Sequence, residues 1–439
     1  MEDCPHPGCG GAVSAAGGAG LCRECREPAG ACPSCGAWNR PFAQFCRGCG
    51  KRFQFGSADL GSLGVEVLDT LPRDPAALEI PAEFWIAPVS FGGYLWALAT
   101  DGSLWRVNPA RGEVLPLLPL GPGFGRSSFV IQFLSLPGRR NPAPCLVAAS
   151  PAAVAILNLA EPRAEPLLIA PESGGRFLAD LDKDGFAAVA VHQGRVFVLQ
   201  RRGGALAMVS HQVATGVQER CPLEASDAAG PLVIGNHVWA YNATSLMHVS
   251  GANSSLLPLA EGVTPFRSLT DGDGFRFPLG SAVWLTAPDG VYLPARTADR
   301  SGFLYLTSVH ESLQQHFLAL DGGFSYSADS GGRLIVAGGE RLAVFEGRNK
   351  VAEIPAPSLA PNGAEHIDGQ FYAWTCQMGA AIGVRFAFGD RPRNAALPQQ
   401  LRTWLPKGFL IAGGALVLVV HNQHENNNLG LSVWNLFDV

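Results

Sequence analysis

The stretch YLWALATDGSLWRVNP, residues 94–109, decides the fold class of this chain. Two apolar, aromatic-rich runs flank the dipeptide Asp101-Gly102, a pattern typical of a β-hairpin. We predict a type I′ turn at this dipeptide, because such a turn needs positive φ at both central positions and Asp-Gly meets that need. The stretch therefore predicts two antiparallel strands joined by a tight turn.

Strands of the same character recur along the chain at spacings of about 40 to 53 residues. They are AVAILNLA (153–160), RVFVLQRR (195–202), HVWAYNA (237–243), GVYLPAR (290–296), RLAVFEG (341–347), AIGVRFAFG (381–389) and LSVWNLF (431–437). The 53 Gly and 33 Pro residues, with only 16% charged residues, also indicate a turn-rich, mainly β protein. A repeat of four strands with this period is typical of the blades of a β-propeller.

The repeat resembles that of divergent bacterial β-propellers of the quinoprotein-like or WD-like kind. The Gly-His and Trp-Asp pairs of WD repeats are absent. Because the resemblance rests only on the repeat period and the turns, it implies no quinone site and no catalytic carboxylate set. We predict a seven- or eight-bladed ring, with seven blades if the unit at 227–259 or at 366–398 is an elaboration. A stack of β-sandwiches is the competing architecture, which would explain the strands but not the near-regular repeat.

The two ends of the repeat region are expected to meet in one sheet. The segment GVEVLDTLP, residues 64–72, is predicted to be the outer strand of the last blade, beside LSVWNLFDV at 431–439. Such closure removes an open sheet edge. The predicted propeller therefore spans 64–439 and follows a polar, Gly-rich linker at 51–63.

A pair of cysteine knuckles stands before the linker, in CPSCGAWNRPFAQFCRGCG at 32–50. Cys32, Cys35, Cys46 and Cys49 form two Cys-x-x-Cys units, separated by enough residues for a hairpin that brings the second pair back to the first. Four thiolates in this arrangement favour tetrahedral Zn(II). A disulfide pair is disfavoured, since we expect a reducing compartment.

A second, less regular group of cysteines precedes this one. Cys22 and Cys25 form a good knuckle, and Cys4 and Cys9 are the opposing pair, with four residues between them. We predict a second zinc ion bound by these four thiolates. The competing ligand is His6, three positions before Cys9, which could replace Cys4.

CPSCG and FCRGCG resemble the double zinc ribbon family, over residues 4–50. The resemblance implies two structural zinc ions and a role as an adaptor; the CPHPGC pair departs from the family pattern. Six basic and four acidic residues in 1–55 give +2, and two zinc ions with four thiolates each bring this to −2. Because nucleic-acid ribbons need a positive stripe, we expect a protein partner rather than a nucleic acid.

An alternation of carboxylates in LADLDKDGFAAVAV (178–191) raises the possibility of a calcium loop. Asp180, Asp182 and Asp184 precede a glycine, as in the calcium loops of integrin-type propeller repeats, which the segment resembles. The later carboxylate of that family would fall on Ala188, which cannot bind a metal. A solvated Asp- and Gly-rich turn is the favoured interpretation.

The sequence holds no motif of a known catalytic class. Gly-x-Ser-x-Gly, phosphate-binding loops, His-Glu-x-x-His and dinucleotide fingerprints are all absent. His421, His424 and Glu425 could bind a metal, but a polar loop between apolar strands is the simpler interpretation. We therefore predict that the chain is not an enzyme.

Targeting features also shape the functional hypothesis. The N-terminus MEDCPHPGCGG lacks the basic and apolar regions of a secretory signal. The apolar run at 409–420 is too short for a membrane helix and is predicted to be two strands meeting at Gly413-Gly414. Arginine outnumbers lysine 28 to 4, which is typical of GC-rich, mostly bacterial genomes.

We expect a cytoplasmic, non-enzymatic scaffold or adaptor in a bacterial multiprotein system, with protein partners and no membrane contact. The loop-rich faces of a rigid ring and the zinc ribbon would supply two binding modules. One alternative is a hydrolase or lyase with its site in the propeller channel, which converging carboxylates or histidines would favour and apolar plugging would disfavour. Another is a nucleic-acid-binding ribbon.

Overall fold

The computed structural model of the chain describes five short strands before residue 40 and most of the chain from residue 76 to residue 435. The described ranges are 2–3, 12–16, 19–22, 28–31, 38–39, 76–84, 88–139, 141–181, 183–186, 188–267, 275–276, 284–287, 289–309, 312–320, 324–328, 333–338, 341–355, 363–367, 370–374, 383–388, 391–396, 401, 404–412, 415–421 and 428–435. The backbone alone is described in the first five strands and between residues 363 and 396, and several other strands after residue 323 have only part of their side chains described.

The first five strands form one antiparallel sheet in sequence order. They are β1 (Glu2–Asp3), β2 (Ala12–Ala16), β3 (Ala19–Cys22), β4 (Pro28–Ala31) and β5 (Trp38–Asn39). Asp3 pairs with Ala12, and Val13 pairs with Cys22. The end of β1 and the end of β3 therefore lie at the same end of the sheet.

The rest of the described chain is a succession of sheets whose strands pair antiparallel, apart from one parallel pair at Phe275 and Phe324. It begins with β6 (Ala76–Glu83). The first sheet contains β7 (Val89–Phe91), β8 (Tyr94–Leu98), β9 (Ser103–Asn108) and β10 (Glu113–Pro119), and the second contains β11 (Phe129–Leu134), β12 (Ala143–Ala149), β13 (Val154–Asn158) and β14 (Leu167–Ile169). The third contains β15 (Gly175–Phe177), β16 (Val189–His192), β17 (Arg195–Arg202), β18 (Ala205–Gln212) and β19 (Gln218–Leu223). A 3₁₀ helix, Pro109–Arg111, joins β9 to β10 within the first sheet, and another, Phe124–Arg126, lies between the first sheet and the second.

The later sheets follow the same plan. The fourth contains β20 (Ala229–Ile234), β21 (His237–Tyr241), β22 (Ser245–Ser250) and β23 (Asn253–Pro258). The fifth contains β24 (Thr264–Pro265), β26 (Leu285–Ala287), β27 (Gly290–Arg296), β28 (Ser301–Val309) and β29 (Ser312–Leu320), and the sixth contains β25 (Phe275–Arg276), β30 (Phe324–Ala328), β31 (Leu334–Gly338), β32 (Arg341–Glu346) and β33 (Asn349–Pro355). Two pairs come next, β34 (Gly363–Ile367) with β35 (Gln370–Trp374) and β36 (Gly383–Phe388) with β37 (Arg391–Ala396). The closing sheet contains β38 (Leu405–Ala412), β39 (Ala415–His421), β40 (Asn428–Asn435) and β6.

The sheets are arranged as the blades of a β-propeller. Apolar clusters join the first sheet to the second, the second to the third, the third to the fourth, and the fourth to the fifth and sixth. The innermost strand β34 contacts β30 on one side and β38 on the other, and β38 contacts β7. The succession therefore returns to its start and forms a ring, which excludes a stack of separate β-sandwiches.

The ring is closed by a different segment from the predicted one. Within the closing sheet β6 pairs with β40, with Ile80 opposite Leu429 and Leu78 opposite Leu431. The predicted segment at 64–72 lies outside the described residues. Ile80 is fully buried in the closing sheet.

The hairpin at 94–108 forms as predicted, but its turn is of another type. Gly102 has φ +84°, whereas Asp101 is not among the residues with positive φ. The N–H of Gly102 donates to the carbonyl of Ala99, and the Asp101 carboxylate accepts from the N–H of Ser103. The turn is therefore a type I turn followed by a left-handed glycine.

The recurring strands in the sequence do not occupy equivalent positions. Arg195–Arg202 and Gly290–Arg296 are second strands, whereas Val154–Asn158 and Arg341–Glu346 are third strands. Both positions have a partner on each side and a neighbouring sheet on each face, so both are apolar on both faces. The unit at 227–259 is a complete four-stranded sheet.

Two of the innermost strands are interrupted by inserted segments. β15 and β16 both pair with β17, and β24 and β26 both pair with β27. The insertions meet where the N–H of Phe186 donates to the carbonyl of Arg267, 2.7 Å away, and Phe186 and Phe266 are buried in one cluster. The insertions thus tie the third and fifth sheets together across the ring.

The run at 409–420 forms two strands as predicted, β38 and β39, with Ala412 opposite Ala415. Within the described ranges, no helix has the length and apolar character needed to cross a membrane.

Candidate functional site

A cavity of about 600 Å³ lies along the innermost strands of the first five sheets. Its walls include Val89 of β7, Val130 of β11, Ala190 of β16, Val233 of β20 and Thr286 of β26. We call it the channel cavity, because the innermost strands of a propeller surround its central axis. Its volume falls within the range of small-molecule sites.

The described wall of the channel cavity is apolar with a few polar groups. The apolar part includes Phe129 and Trp284, and the polar part includes Ser128, His192 and Gln193. The described lining contains one histidine and no carboxylate. The converging carboxylates or histidines expected of a hydrolase or lyase are therefore not found in this part of the wall.

A second cavity, of about 520 Å³, is a polar cleft between the fifth and sixth sheets. Its walls come from β28, β29, the turn after β26 and the turn between β32 and β33. Its lining includes five ionisable side chains: Asp289, His316, Arg333, Glu346 and Arg348. Ala287 lines both this cleft and the channel cavity. We call it the polar cleft.

The floor of the polar cleft fixes one of its carboxylates. The hydroxyl of the buried Tyr305 donates to Asp289 Oδ1 over 2.7 Å, and the hydroxyl of Thr307 donates to the Asp289 carbonyl over 2.6 Å. Burial, together with the hydrogen bond to Asp289, raises the pKa of Tyr305 above its usual value, so this phenol stays a donor. Asp289 itself is exposed and held in one orientation.

The described histidine side chains are confined to the third, fourth and fifth sheets. They are His192, His211, His237, His248 and His316. In the fourth sheet His248 Nε2 lies 3.1 Å from His237 Nδ1, and the His248 ring stacks on Trp239 with 4.7 Å between centroids. No group of three or more possible metal ligands occurs among the residues that the structure describes.

The histidines give the protein an expected pH dependence. Burial, and then the neighbouring His237, lowers the pKa of His248, and burial with Arg195 nearby lowers that of His211. The unfolded chain therefore binds protons at a higher pH than the folded chain, so stability present above about pH 6.5 is lost as the pH falls below that value. We expect denaturant midpoints to fall between about pH 7.5 and 5.5.

The variant His248→Gln tests this dependence. Its midpoint should fall less steeply over the same range, because one of the two titrating groups is gone. Measurements at about pH 8.5, where both groups are neutral in both states, give the control. A fall as steep as that of the wild type would contradict the assignment to His248.

The candidate calcium loop is an ion-paired structural turn. Both oxygens of Asp184 accept from the guanidinium of Arg176, at 2.6 and 2.9 Å, and Oδ2 also accepts from the N–H groups of Ala179 and Asp180 at 3.2 Å. The Asp184 side chain is 1% exposed. Since its oxygens are already engaged, Asp184 is neither a calcium ligand nor a solvated side chain, and Asp182 lies outside the described residues.

Most of the predicted metal ligands fall outside the described part of the chain. Cys22 ends β3, and its backbone alone is described. The remaining seven cysteines of the predicted zinc sites, with His6, lie outside the described residues: Cys4, Cys9, Cys25, Cys32, Cys35, Cys46 and Cys49. His424 and Glu425 do as well, whereas His421 ends β39 with its backbone alone described. Cys145 and Cys221 are buried free thiols.

The sequence did not reveal the polar cleft or the residues that line the channel cavity. Asp289-Gly290 and His192-Gln193-Gly194 are ordinary turn signals, and each lies between the first and second strands of its sheet. Gln193 is the non-glycine residue with positive φ in the described chain, at φ +50°. The sequence therefore indicated turns at these positions, but it did not indicate which turns lie on the same face of the propeller.

Comparison with known proteins identifies no family for this chain. No protein-family model matches the chain, and no curated protein matches it either. Among solved structures it is similar to YCF48 from Cyanidioschyzon merolae, with 9% identity and a TM-score of 0.39 over 83% of this chain and 100% of that one. It is also similar to BamB from Moraxella catarrhalis, with 10% identity and a TM-score of 0.44 over 83% and 98%. A structural-genomics target described as a gluconolactonase has 13% identity and a TM-score of 0.32 over 84% and 95%. Identities and scores this low carry no argument about function.

Proposed function

We propose that this chain is a non-enzymatic scaffold that holds a protein partner on the propeller and carries a zinc ribbon as a second binding module. The observation that carries the proposal is the polar cleft. Exposed side chains of both signs, Asp289, Glu346 and Arg348, stand around a buried floor of Tyr305 and Thr307. Such a surface suits a polypeptide segment with charged side chains of both signs.

The rigidity of the cleft supports a binding role. Tyr292 and Tyr305 stack with 4.7 Å between ring centroids, and the Tyr292 hydroxyl donates to the Gly347 carbonyl of the next sheet over 3.1 Å. The turn that carries Arg348 is thus fixed to the fifth sheet. A surface fixed before binding loses less conformational entropy when a partner docks.

Two zinc ions would complete the N-terminal module. Cys4, Cys9, Cys22 and Cys25 would hold one zinc ion. Cys32, Cys35, Cys46 and Cys49 would hold the other. Both ions would be structural, with four thiolates and no open position.

The ring is proposed to have eight blades. β35 lies beside β36, so the two pairs β34–β35 and β36–β37 can be counted as one blade between the sixth sheet and the closing sheet. The unit at 366–398 is then a blade rather than an elaboration. A cytoplasmic location and a bacterial source complete the proposal.

Affinity purification from the native host tests the scaffold role. Four baits are compared: the full chain, residues 56–439, and the full chain with Arg348→Glu or with Arg300→Glu. Arg348 lies in the cleft, in a turn between third and fourth strands. Arg300, 58% exposed, lies between second and third strands and therefore on the opposite face, which makes it the matched control.

We expect a protein that the full chain and Arg300→Glu retain and that Arg348→Glu loses. Partners lost only by residues 56–439 would assign that interaction to the ribbon. If Arg348→Glu retains every partner, the cleft is not the binding surface. If the full chain retains none, the scaffold proposal is wrong.

A further inference from the structure

The channel cavity contains polar groups that the protein leaves without a partner. Ser128 is 5% exposed, and its Oγ has no hydrogen-bond partner within the described structure. The same holds for His192 Nε2, which is buried although the ring is part-exposed. Buried polar atoms are nearly always hydrogen-bonded, so such a pair in one cavity indicates a missing partner.

The backbone around the cavity adds further hydrogen-bonding groups. Among the described strands, β11, β16 and β20 each pair with a strand on one side only, and the other edge of each lines the cavity. On the β20 edge, Gly230 exchanges backbone hydrogen bonds with Phe186 and Ala188, and the other N–H and C=O groups of that edge have no strand partner there. A free edge presents N–H and C=O groups that no neighbouring strand satisfies. A molecule in the channel can therefore be bound by donors and acceptors without any ionic contact.

The rest of the described wall favours an apolar body. Phe129 and Trp284 are 5% and 7% exposed, and both line the cavity with valines and alanines of the inner strands. No carboxylate, ammonium or guanidinium group lines this described wall. A charged ligand would lose its hydration in the channel without gaining an opposite charge there.

We propose that the channel cavity binds an uncharged organic molecule with an apolar body and one or two hydrogen-bonding groups, held through Ser128 and His192. The channel cavity is proposed to bind a small uncharged molecule, whereas the polar cleft is proposed to bind a segment of a protein partner. It does not depend on the scaffold role, so either proposal can fail alone.

Two fluorescent probes test the site in the full-length protein. N-phenyl-1-naphthylamine is uncharged, with an apolar body and one N–H group. 1-Anilinonaphthalene-8-sulfonate shares this framework and adds a negative charge. We expect saturable binding of the first with one site per chain, and binding of the second at least about tenfold weaker.

Three substitutions locate the bound probe. Ala190→Phe fills the channel cavity from the middle of β16, and Thr286→Trp fills it from an exposed position on β26. Ala205→Trp adds a similar bulk at an exposed position on β18 outside the cavity. Both channel variants should abolish binding, and Ala205→Trp should leave it unchanged. Thermal unfolding checks each fold; if Ala190→Phe does not fold, Thr286→Trp decides.

A fourth variant tests the hydrogen bond. Ser128→Ala should weaken binding by about 3- to 10-fold, the usual effect of losing one such bond. The proposal is overturned by an absence of saturable binding, by binding that persists in both channel variants, or by equal affinity for the two probes. An unchanged affinity in Ser128→Ala would remove Ser128 from the site.

Discussion

Replacing Ile80 with aspartate is expected to destabilise the propeller by about 4 kcal/mol or more. Ile80 lies on the closing strand β6, is 0% exposed, and packs in the cluster that joins the closing sheet to the first sheet. A carboxylate there would be buried without a described partner, at the one seam where the two ends of the ring meet. Circular dichroism during heating should show Tm lowered by about 10 °C, or no cooperative transition.

The neighbouring residue supplies the matched control. Pro81 is exposed on the other face of the same strand, so Pro81→Asp adds the same charge without burying it. Pro81→Ala measures the effect of losing the proline ring, and we expect Pro81→Asp to differ from it by no more than about 0.5 kcal/mol. Equal effects of Ile80→Asp and Pro81→Asp would contradict the assignment of β6 as the closing strand.

Replacing Cys35 with serine is expected to remove one of the two proposed zinc ions and to unfold the second half of the proposed ribbon. A residue set with so few apolar side chains cannot fold without its metal, because metal binding supplies the folding free energy of such a module. Zinc measured by elemental analysis should fall from about two ions per chain to one. The thermal transition of the propeller should stay in place.

Two further variants sharpen this test. Cys145→Ser replaces a buried free thiol of β12 and should leave the zinc content unchanged. His6→Ala distinguishes the two ligand sets for the first site: an unchanged zinc content favours Cys4, and the loss of one ion favours His6. A zinc content near zero in the wild type would rule out both sites, and a single loss of ribbon and propeller together would contradict independent modules.

Hairpins were predictable from the sequence where glycine marks a turn between two apolar runs. The hairpin around Asp101-Gly102 and the strand pair at Gly413-Gly414 follow from apolar runs interrupted by a turn signal. The turn type was not predictable from the dipeptide. Asp101 avoids positive φ because its carboxylate accepts from the N–H of Ser103 and stabilises a type I turn instead.

The place of each strand within its sheet was less predictable. Second and third strands such as β17 and β13 carry the same apolar pattern, since each is flanked and covered on all sides. Their mixture accounts for the uneven spacing of the apparent repeat. The inserted segments after β15 and β24 were missed because the interrupted inner strands, Gly175–Phe177 and Thr264–Pro265, are too short to give a periodic signal.

The candidate sites depended on contacts that sequence spacing does not reveal. The carboxylates around Asp184 have the same pattern whether they bind calcium or a guanidinium, and the deciding partner, Arg176, lies in the preceding strand. In the polar cleft, Asp289 and Arg348 come from different sheets. Asp289 and Arg348 come together because the fifth and sixth sheets are neighbours in the ring.

The closing strand also sets the order in which the chain can fold during synthesis. β6 leaves the ribosome early, but its partner β40 is made about 350 residues later, so the strand has no pairing partner and can pack only against the first sheet while every other sheet forms. Contacts this distant in sequence close slowly. β6 is preceded by the N-terminal sheet, whose described strands pair only with one another, so this sheet can form before the ring does. A nascent chain would therefore carry a finished N-terminal module, an unpaired strand and an open ring until the last sheet is complete.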